Sequence, residues 1–296
     1  MTGSHIDARV ARGRFERAAA TYGEVAVLSR EVERRMAERL EYIRVEPGRI
    51  LDAGCGPGEG LRLLRRRYPK AWLVGVDSAW SMARSARRAQ SLVERAKSVL
   101  SGAACHGVCA DLARLPLAEA SVGMVWSNLA LAWAGVPDAA LTEFARVLEP
   151  RGLLMFSTYG PDTLKELRNA FARVDRHAHV HRFIDMHDLG DMLVGAGFEQ
   201  PVMDMDVVTL SYAEVGALSR DLRLSGQSNS DADRRRGLMT PRAWAKMAGA
   251  YESARRDGRL PATFEIVYGH AWKSERKDRA EQSHVVKMDF PSRRNK

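Results

Sequence analysis

Apolar residues in the first part of the chain recur at the spacing of a helix. The residues that would share one helical face are Val25, Leu28, Val32, Met36 and Leu40. The pattern predicts helical structure over residues 6–44, and the Pro47-Gly48 pair ends it. We therefore expect an N-terminal helical segment, residues 1–44, that covers the site of the domain following it.

From residue 49 onward, short apolar strands alternate with amphipathic helices. Strands are predicted at 49–52, 72–77, 107–110, 123–127, 152–158, 202–212 and 263–272. Two extra helices, at 213–225 and 240–257, precede the last strand. Alternation of this kind favours parallel pairing through right-handed crossovers. The sequence therefore predicts an α/β fold with a seven-stranded, mostly parallel sheet over residues 45–272.

The last part of the chain, residues 273–296, holds eight basic and four acidic residues and little apolar pattern. We expect this basic tail to be disordered. The whole chain of 296 residues is 45% hydrophobic and 28% charged, which is typical of a globular protein with a large core. Its net charge of +9 excludes an acidic disordered chain and permits nucleic acid, an anionic surface or an acidic protein as partner.

The cysteines and histidines bear on the cellular compartment and on metal binding. Three cysteines form no disulfide framework, which favours a reducing compartment, and we expect the cytoplasm. The N-terminus lacks the apolar stretch of a secretory signal, and no uncharged stretch is apolar enough to span a membrane. We expect no metal, because neither of two groups has the ligands that a metal site requires. These groups are Cys105-His106-x-x-Cys109 and the histidines His177, His179, His181 and His187.

A glycine-rich turn follows the first predicted strand. Asp52 precedes Gly54, Gly56 and Gly58, and Glu59 stands where a dinucleotide-binding fingerprint has its last glycine. Glycine lets the backbone approach a ligand without a Cβ in the way. The Asp52 carboxylate would repel a pyrophosphate. It suits a cationic ligand such as S-adenosylmethionine, whose ammonium group needs a hydrogen-bond acceptor.

Carboxylates also end the next two predicted strands. Asp77 follows Asp52 by 25 residues, and Asp111 ends the third strand. Asp77 could accept hydrogen bonds from both hydroxyls of a ribose. Asp111 could reach an adenine amino group or cap the next helix. Ligands of open α/β sheets bind at this edge, so we assign the cofactor site to it. The further residues assigned to the same site are Ser78, Met82, Leu112 and Ser127.

At this point the sequence resembles the class I S-adenosylmethionine-dependent methyltransferases. The likeness includes Ser127-Asn128-Leu129 after the fourth strand and residues 146–152 before the fifth. The chain is still more similar to the malonyl-[acyl-carrier protein] O-methyltransferases of biotin synthesis, over about residues 10–272. It departs from them at Gly123, Ala132 and Arg151, where Asp, Gln and Gly are usual. The matching segments are residues 15–22, 127–133, 156–164, 185–190 and 260–265.

The resemblance implies a Rossmann-like methyltransferase that transfers a methyl group from S-adenosylmethionine to the free carboxylate of malonyl-acyl-carrier protein. It also implies that Tyr22 lies over the active site and helps hold the substrate carboxylate, which Arg182 could also contact. That carboxylate is ionised near pH 7, so no general base is needed, and none is evident. The acidic carrier protein would be steered by basic runs, and we expect no nucleic-acid partner. The candidate runs are Arg65-Arg66-Arg67 and Arg234-Arg235-Arg236.

Other functions remain open from the sequence. The chain also resembles a mitochondrial complex I assembly factor in residues 163–168 and 261–263, which would imply hydroxylation of protein arginine. A S-adenosylmethionine-binding module without turnover, regulatory or nucleic-acid-binding, is a further alternative. A nicotinamide-dependent dehydrogenase is disfavoured by the spacing of the glycine turn and by Asp52.

Overall fold

A seven-stranded sheet runs through the computed structural model, which describes residues 6–88 and 105–275. The strand order is β3-β2-β1-β4-β5-β7-β6, with β7 antiparallel to both of its neighbours and the other pairs parallel. The predicted fold class is therefore confirmed. The strands are β1 Arg49–Ala53, β2 Trp72–Asp77, β3 Cys105–Cys109, β4 Val122–Asn128, β5 Leu148–Tyr159, β6 Phe198–Tyr212 and β7 Leu260–Lys273.

Helices cover both faces of this sheet. They are α1 Ala8–Ala18, α2 Tyr22–Val25, α3 Val27–Leu40, α4 Glu59–Arg67, α5 Trp80–Arg88, α6 Pro137–Val147, α7 Lys165–Ala172, α8 Met186–Gly195, α9 Val215–Leu224 and α10 Pro241–Glu252. A short 3₁₀ helix spans Leu131–Trp133. None of the helices within the described ranges has the length and apolar character needed to cross a bilayer.

The predicted N-terminal helical segment consists of three helices in the structure, α1, α2 and α3. The chain turns at Thr21, whose backbone N–H donates to the Ala18 carbonyl oxygen at 2.9 Å. The Thr21 hydroxyl donates to the Leu224 carbonyl oxygen at 2.8 Å, at the end of α9. Apolar spacing alone missed this break because the residues on both sides keep their helical periodicity. The turn lets α1 contact α5 and α9 while α3 packs against β4 and β5.

The central strands of the sheet are buried on both faces, which explains why they are apolar without alternation. In β1, Ile50 packs with Met36 of α3 and Leu64 of α4, whereas Leu51 packs with Phe144 of α6 on the other face. All five side chains are fully buried. The rigid strands therefore fix the positions of the turns that follow them.

Element boundaries differ from the sequence predictions most for the strands of the second half of the chain, where β5 begins at Leu148, four residues before its predicted start at 152. β6 begins at Phe198, four residues before its predicted start at 202, and β7 runs from Leu260 to Lys273. Phe198 is 3% exposed, and its backbone pairs with Lys273. Long antiparallel pairing extended both strands beyond their apolar centres. Most of the predicted basic tail, residues 276–296, lies outside the described residues. The sequence also predicts a helix over residues 82–100, and its part after Arg88 lies outside them too.

Candidate active site

A cavity of about 620 Å³ lies at the carboxyl ends of β1 to β4 and is also lined by α1 and α2. Carboxyl ends of parallel strands converge at one edge of an open α/β sheet, where ligands bind. Eight of the residues assigned from sequence line this cavity. They are Tyr22, Gly54, Gly56, Asp77, Ser78, Met82, Asp111 and Leu112.

The glycine turn after β1 depends on left-handed backbone conformations. Gly54, Gly56 and Gly58 have φ values of +81°, +50° and +92°. A Cβ on Gly54 would lie 2.1 Å from the Cβ of Ala130, whereas a Cβ on Gly56 would meet no atom within 4 Å. Gly58 packs against Ala86 of α5 and does not line the cavity. Bare backbone at Gly54 and Gly56 thus forms a cradle that fits a nucleoside ligand.

Asp77, at the end of β2, is held in place by the turn. Its carboxylate accepts hydrogen bonds from the backbone N–H groups of Gly56 at 3.0 Å and Ala79 at 2.8 Å. Burial raises the pKa of Asp77 to about 6, although these two hydrogen bonds oppose the shift. The lone pairs that remain on the two oxygens suit a pair of ribose hydroxyls, which are donors.

Asp111 follows β3, the strand that pairs with β2 in the sheet. One of its oxygens accepts a hydrogen bond from the Ala113 backbone N–H at 2.9 Å, so this carboxylate caps the following turn while it lines the cavity. Leu112 is 8% exposed and Met82 is 1% exposed, and both give the cavity apolar surface. This combination of apolar wall and a polar edge suits an adenine ring.

Asp52 and Ser127 do not line the cavity. The Ser127 hydroxyl is fully buried and donates to the Ala53 carbonyl oxygen at 3.0 Å, which ties β4 to the glycine turn. Asp52 is 2% exposed and lies beside Glu33 of α3. A Cβ on Gly60 would lie 2.7 Å from an oxygen of each of these two carboxyl groups. Direct binding of a ligand by Asp52 or Ser127 stays a prediction.

Burial of both Asp52 and Glu33 disfavours the ionised forms of their carboxyl groups. One oxygen of Asp52 has no hydrogen-bond partner among the described residues. Burial and the neighbouring Glu33 raise the pKa of Asp52 well above its ordinary value. Burial also raises the pKa of Glu33 to about 7, opposed by a 3.4 Å hydrogen bond from the Trp126 indole N–H. Near neutral pH the pair of Asp52 and Glu33 is therefore protonated in at least a fraction of the molecules.

We expect Glu33→Gln to stabilise the protein at pH 8 and to flatten its pH dependence. A carboxyl whose pKa is raised by folding binds its proton more tightly in the folded state. The free energy of unfolding of the unsubstituted protein should then fall as pH rises from about 4.5 to about 7, by roughly 3 kcal/mol for this shift. Denaturant unfolding followed by circular dichroism at pH 5 and pH 8 measures this. The control Glu41→Gln alters an exposed carboxyl just beyond α3, and an equal gain there would contradict the assignment.

Tyr22 and Arg182, both assigned to the substrate, have different positions. Tyr22 lines the cavity, and its hydroxyl donates to the Ser29 hydroxyl oxygen at 3.0 Å. Burial raises the pKa of Tyr22 to about 12, so the phenol stays protonated. Arg182 is exposed and lies in a separate surface groove, where it pairs with Asp233 at 3.4 Å. The structure does not bring Arg182 into the cavity: Val180 and His181 before it are buried, whereas the Arg182 side chain points to solvent.

The N-terminal segment contributes residues that were not assigned from sequence. Phe15 of α1 lines the cavity and makes an edge-to-face contact with Trp133, with ring centroids 5.2 Å apart. The Glu16 carboxylate accepts hydrogen bonds from the backbone N–H of Ser81 at 3.0 Å and from its hydroxyl, so α1 caps the N-terminus of α5. Phe15 and Trp133 both lie in the segments that carried the family resemblance, and this was the available signal.

Two cavity amides were also missed. Asn128 follows Ser127 at the end of β4, and its amide donates to the Ser29 carbonyl oxygen at 3.0 Å. Its strand-end position could have marked it. Gln227 lies in the loop after α9, where neither spacing nor a motif distinguishes it from other loop residues.

Comparison with known families agrees with this geometry. A family model described as a methyltransferase domain matches residues 51–156. A malonyl-[acyl-carrier protein] O-methyltransferase of Laribacter hongkongensis is 55% identical over 269 residues, covering 91% of this chain and 90% of that protein. The protein of the same name from Gallionella capsiferriformans is 49% identical over 285 residues, covering 96% of this chain and 97% of that protein.

Solved structures share the fold at low sequence identity. The YcgJ protein of Bacillus subtilis superposes with a TM-score of 0.56 at 15% identity, covering 81% of this chain and 98% of that chain. A S-adenosylmethionine-dependent methyltransferase of Thermotoga maritima superposes with a TM-score of 0.51 at 18% identity, covering 89% of this chain and 100% of that chain. At these identities the likeness establishes the fold.

Proposed function

Because the chain belongs to the malonyl-[acyl-carrier protein] O-methyltransferase family, we propose that it methylates the free carboxylate of malonyl-acyl-carrier protein, using S-adenosylmethionine. The observation that carries this proposal is the identity of 55% over nine-tenths of a relative with that name. The cavity supports it independently, since the cradle of Gly54 and Gly56 and the Asp77 carboxylate fit the nucleoside part of the methyl donor. The product would be the malonyl methyl ester that the resemblance connects with biotin synthesis.

The chemistry asks little of the protein beyond binding and alignment. S-adenosylmethionine supplies a methyl group on a sulfonium, and a carboxylate oxygen forms the new bond to carbon while the sulfur keeps the electron pair of the broken bond. A carboxylic acid is ionised near neutral pH, so no proton has to be removed first. The residues of this chain therefore act by orienting both groups and by excluding water. Phe15 and Trp133 provide apolar wall for that purpose.

The same proposal assigns the parts of the chain. Residues 1–44 form the cover of the active site, residues 45–272 the methyltransferase domain, and residues 273–296 the tail. The lining of the cavity by Phe15 and Tyr22 supports the first assignment. We also propose a cytoplasmic location. The thiol of Cys109, which forms no disulfide with any described residue, supports it because free cysteines persist in reducing compartments.

The direct test is incubation of the purified protein with S-adenosylmethionine and malonyl-carrier protein, followed by mass spectrometry of the carrier protein. We expect a gain of one methyl group. Acetyl-carrier protein, which lacks the free carboxylate, should gain none. An arginine hydroxylase or a S-adenosylmethionine-binding module without turnover would give no methyl ester, so unmodified malonyl-carrier protein would reject the proposal.

Tyr22→Phe should lower kcat for malonyl-carrier protein by about 10-fold while the affinity for S-adenosylmethionine stays within about 2-fold. The change removes the hydroxyl that contacts Ser29 and leaves the ring in the cavity wall. Loss of one hydrogen bond near a charged group costs about 1.5 kcal/mol, close to a factor of 10. Steady-state kinetics and calorimetry measure the two quantities. Unaltered turnover would limit Tyr22 to packing.

The arginines of the two basic runs predicted to contact the carrier protein differ in whether they already make contacts within the chain. The exposed arginines Arg66 and Arg236 have no ion-pair partner within residues 6–88 and 105–275. The other four make internal contacts. Arg65 and Arg67 bind backbone carbonyl oxygens, Arg234 pairs with Asp7 at 3.4 Å, and Arg235 pairs with Asp175 at 3.1 Å. Arg66 and Arg236 are therefore the candidates for contact with an acidic partner.

Raising the salt concentration from 0.05 to 0.5 M should slow association with malonyl-carrier protein by about 10-fold, because salt screens attraction between a basic surface and an acidic protein. A variant with both Arg66→Glu and Arg236→Glu should associate slowly at low salt and respond less to added salt. Stopped-flow fluorescence measures the rate. Equal rates for the variant and the unsubstituted protein at low salt would remove these two arginines from the contact surface.

A further inference from the structure

The polar groups that line the cavity differ in charge. The ends of β2 and β3 supply the carboxylates Asp77 and Asp111, and α1 supplies the exposed arginines Arg9 and Arg12. The helices α2 and α3, the end of β4, the 3₁₀ helix and the loop after α9 supply neutral polar side chains. An anionic acceptor is repelled by the carboxylates, is attracted by the arginines and can be oriented by neutral hydrogen-bond donors. The neutral set is Tyr22, Ser29, Asn128, Trp133 and Gln227.

Two of the neutral groups already donate hydrogen bonds. The Tyr22 hydroxyl donates its hydrogen to Ser29, and the Asn128 amide donates one of its two hydrogens to the Ser29 carbonyl oxygen, while its Oδ1 accepts from the Ser157 hydroxyl at 2.8 Å. In the described part of the chain, hydrogens without an acceptor belong to the Ser29 hydroxyl, Trp133 Nε1, Asn128 Nδ2 and Gln227 Nε2. Of the two amides, Gln227 has both of its hydrogens available, and it is also oriented by another side chain.

Tyr159 supplies that orientation. It is 2% exposed, and its hydroxyl donates to Gln227 Oε1 at 2.9 Å. Burial raises the pKa of the Tyr159 hydroxyl, which therefore stays a proton donor. Because Oε1 accepts this bond, the –NH₂ group of the Gln227 amide is left to donate elsewhere. Gln227 lines the cavity, so a ligand there can accept from it.

The backbone around Gln227 is equally constrained. Gly226 has φ +77°, and a Cβ there would lie 2.7 Å from Phe15 Cδ1 and 3.1 Å from Phe15 Cα. The loop therefore packs closely on α1, next to the contact between Phe15 and Trp133. A rigid loop and an oriented amide are what a positioned hydrogen bond to a reacting group requires.

We propose that the Gln227 amide donates a hydrogen bond to the carboxylate of the acceptor and holds it for methyl transfer. The inference rests on the function proposed above. It makes Gln227 an acceptor-binding residue and Tyr159 a positioning residue that acts through it. The amide is neutral, so it orients the attacking carboxylate without neutralising its charge.

The test compares Gln227→Glu with Gln227→Leu. The glutamate variant keeps an oxygen that can accept the hydrogen bond from Tyr159. It also places a carboxylate against the malonyl carboxylate of the substrate. The leucine variant loses the acceptor for the buried Tyr159 hydroxyl and adds no charge. We expect kcat/KM for malonyl-carrier protein to fall by about 10-fold or more with leucine and by about 100-fold or more with glutamate. Affinity for S-adenosylhomocysteine should stay within about 2-fold for both.

A purely structural role predicts the opposite order. Leaving the Tyr159 hydroxyl unpaired should destabilise the leucine variant more than the glutamate variant, and thermal unfolding measures this order independently of activity. The proposal is supported if the glutamate variant is the more stable and the less active of the two. It is overturned if both keep the unsubstituted kcat/KM or if activity follows stability. If the unsubstituted protein transfers no methyl group, the proposed function and this inference are both overturned. If it does transfer one and the variants give either of the two results above, only this inference is overturned.

Discussion

Asp77→Ala should weaken the binding of S-adenosylhomocysteine by about 100-fold. The carboxylate is fixed by the Gly56 and Ala79 N–H groups, and its free lone pairs lie in the cavity wall. Two hydrogen bonds from ribose hydroxyls to an ionised acceptor contribute roughly 3 kcal/mol together, which is about a factor of 100 in affinity. Isothermal titration calorimetry at pH 8 measures the change. Asp191→Ala, which removes an exposed carboxylate from α8, serves as the control.

The same residue should make binding depend on pH. Only the ionised carboxylate accepts from both hydroxyls, and burial raises its pKa to about 6. The affinity of the unsubstituted protein should therefore be constant above about pH 7 and should decrease as pH falls through 6. Asp77→Ala should remove this decrease. Affinity within 2-fold of the unsubstituted protein for Asp77→Ala at pH 8 would contradict the ribose site.

Gly54→Ala should have the second large effect, on both folding and ligand binding. The added Cβ would lie 2.1 Å from the Cβ of Ala130, and the backbone at φ +81° disfavours any side chain. Overpacking and left-handed strain together cost roughly 2–4 kcal/mol. This corresponds to a lower melting temperature by about 5–10 °C. We also expect loss of measurable nucleoside binding, because the turn itself must shift.

Two further variants make the cause of this effect specific. Gly56→Ala meets no atom within 4 Å and should cost only about 1 kcal/mol of left-handed strain. Combining Gly54→Ala with Ala130→Gly removes the close Cβ contact and should recover more than half of the lost stability. Differential scanning calorimetry compares all three. A double variant no more stable than Gly54→Ala would show that the contact with Ala130 is not the cause.

The central fold was predictable because its signals are local. The strands β2 and β5 contain continuous apolar runs, and each is followed by a polar or glycine-containing turn. Boundaries at the end of the chain were less accurate. The residues between 198 and 202 are mostly exposed, and they become strand only because β7 pairs with them across a long sequence separation. Such pairing leaves no periodic pattern.

The site residues that follow strands were predictable from the sequence, and those positioned by long-range contacts were not. Gly54, Gly56, Asp77 and Asp111 stand at the ends of strands, so topology alone places them together. Asp52 also ends β1, but its side chain lies beside Glu33 and outside the cavity, and spacing cannot reveal which way a strand-end side chain faces. Gln227 depends on a contact with Tyr159, 68 residues earlier, and no local sequence signal encodes that distance.

The position of β7 between β5 and β6 constrains the order of assembly during translation. β6 pairs with β7 and with no other strand in the described residues, and β7 is the later of the two to leave the ribosome. The edge of β5 must therefore stay open until residues 260–273 emerge, and a nascent chain released before that point exposes an unpaired strand edge. Chains shortened in front of Leu260 would lose two strands at once and should aggregate.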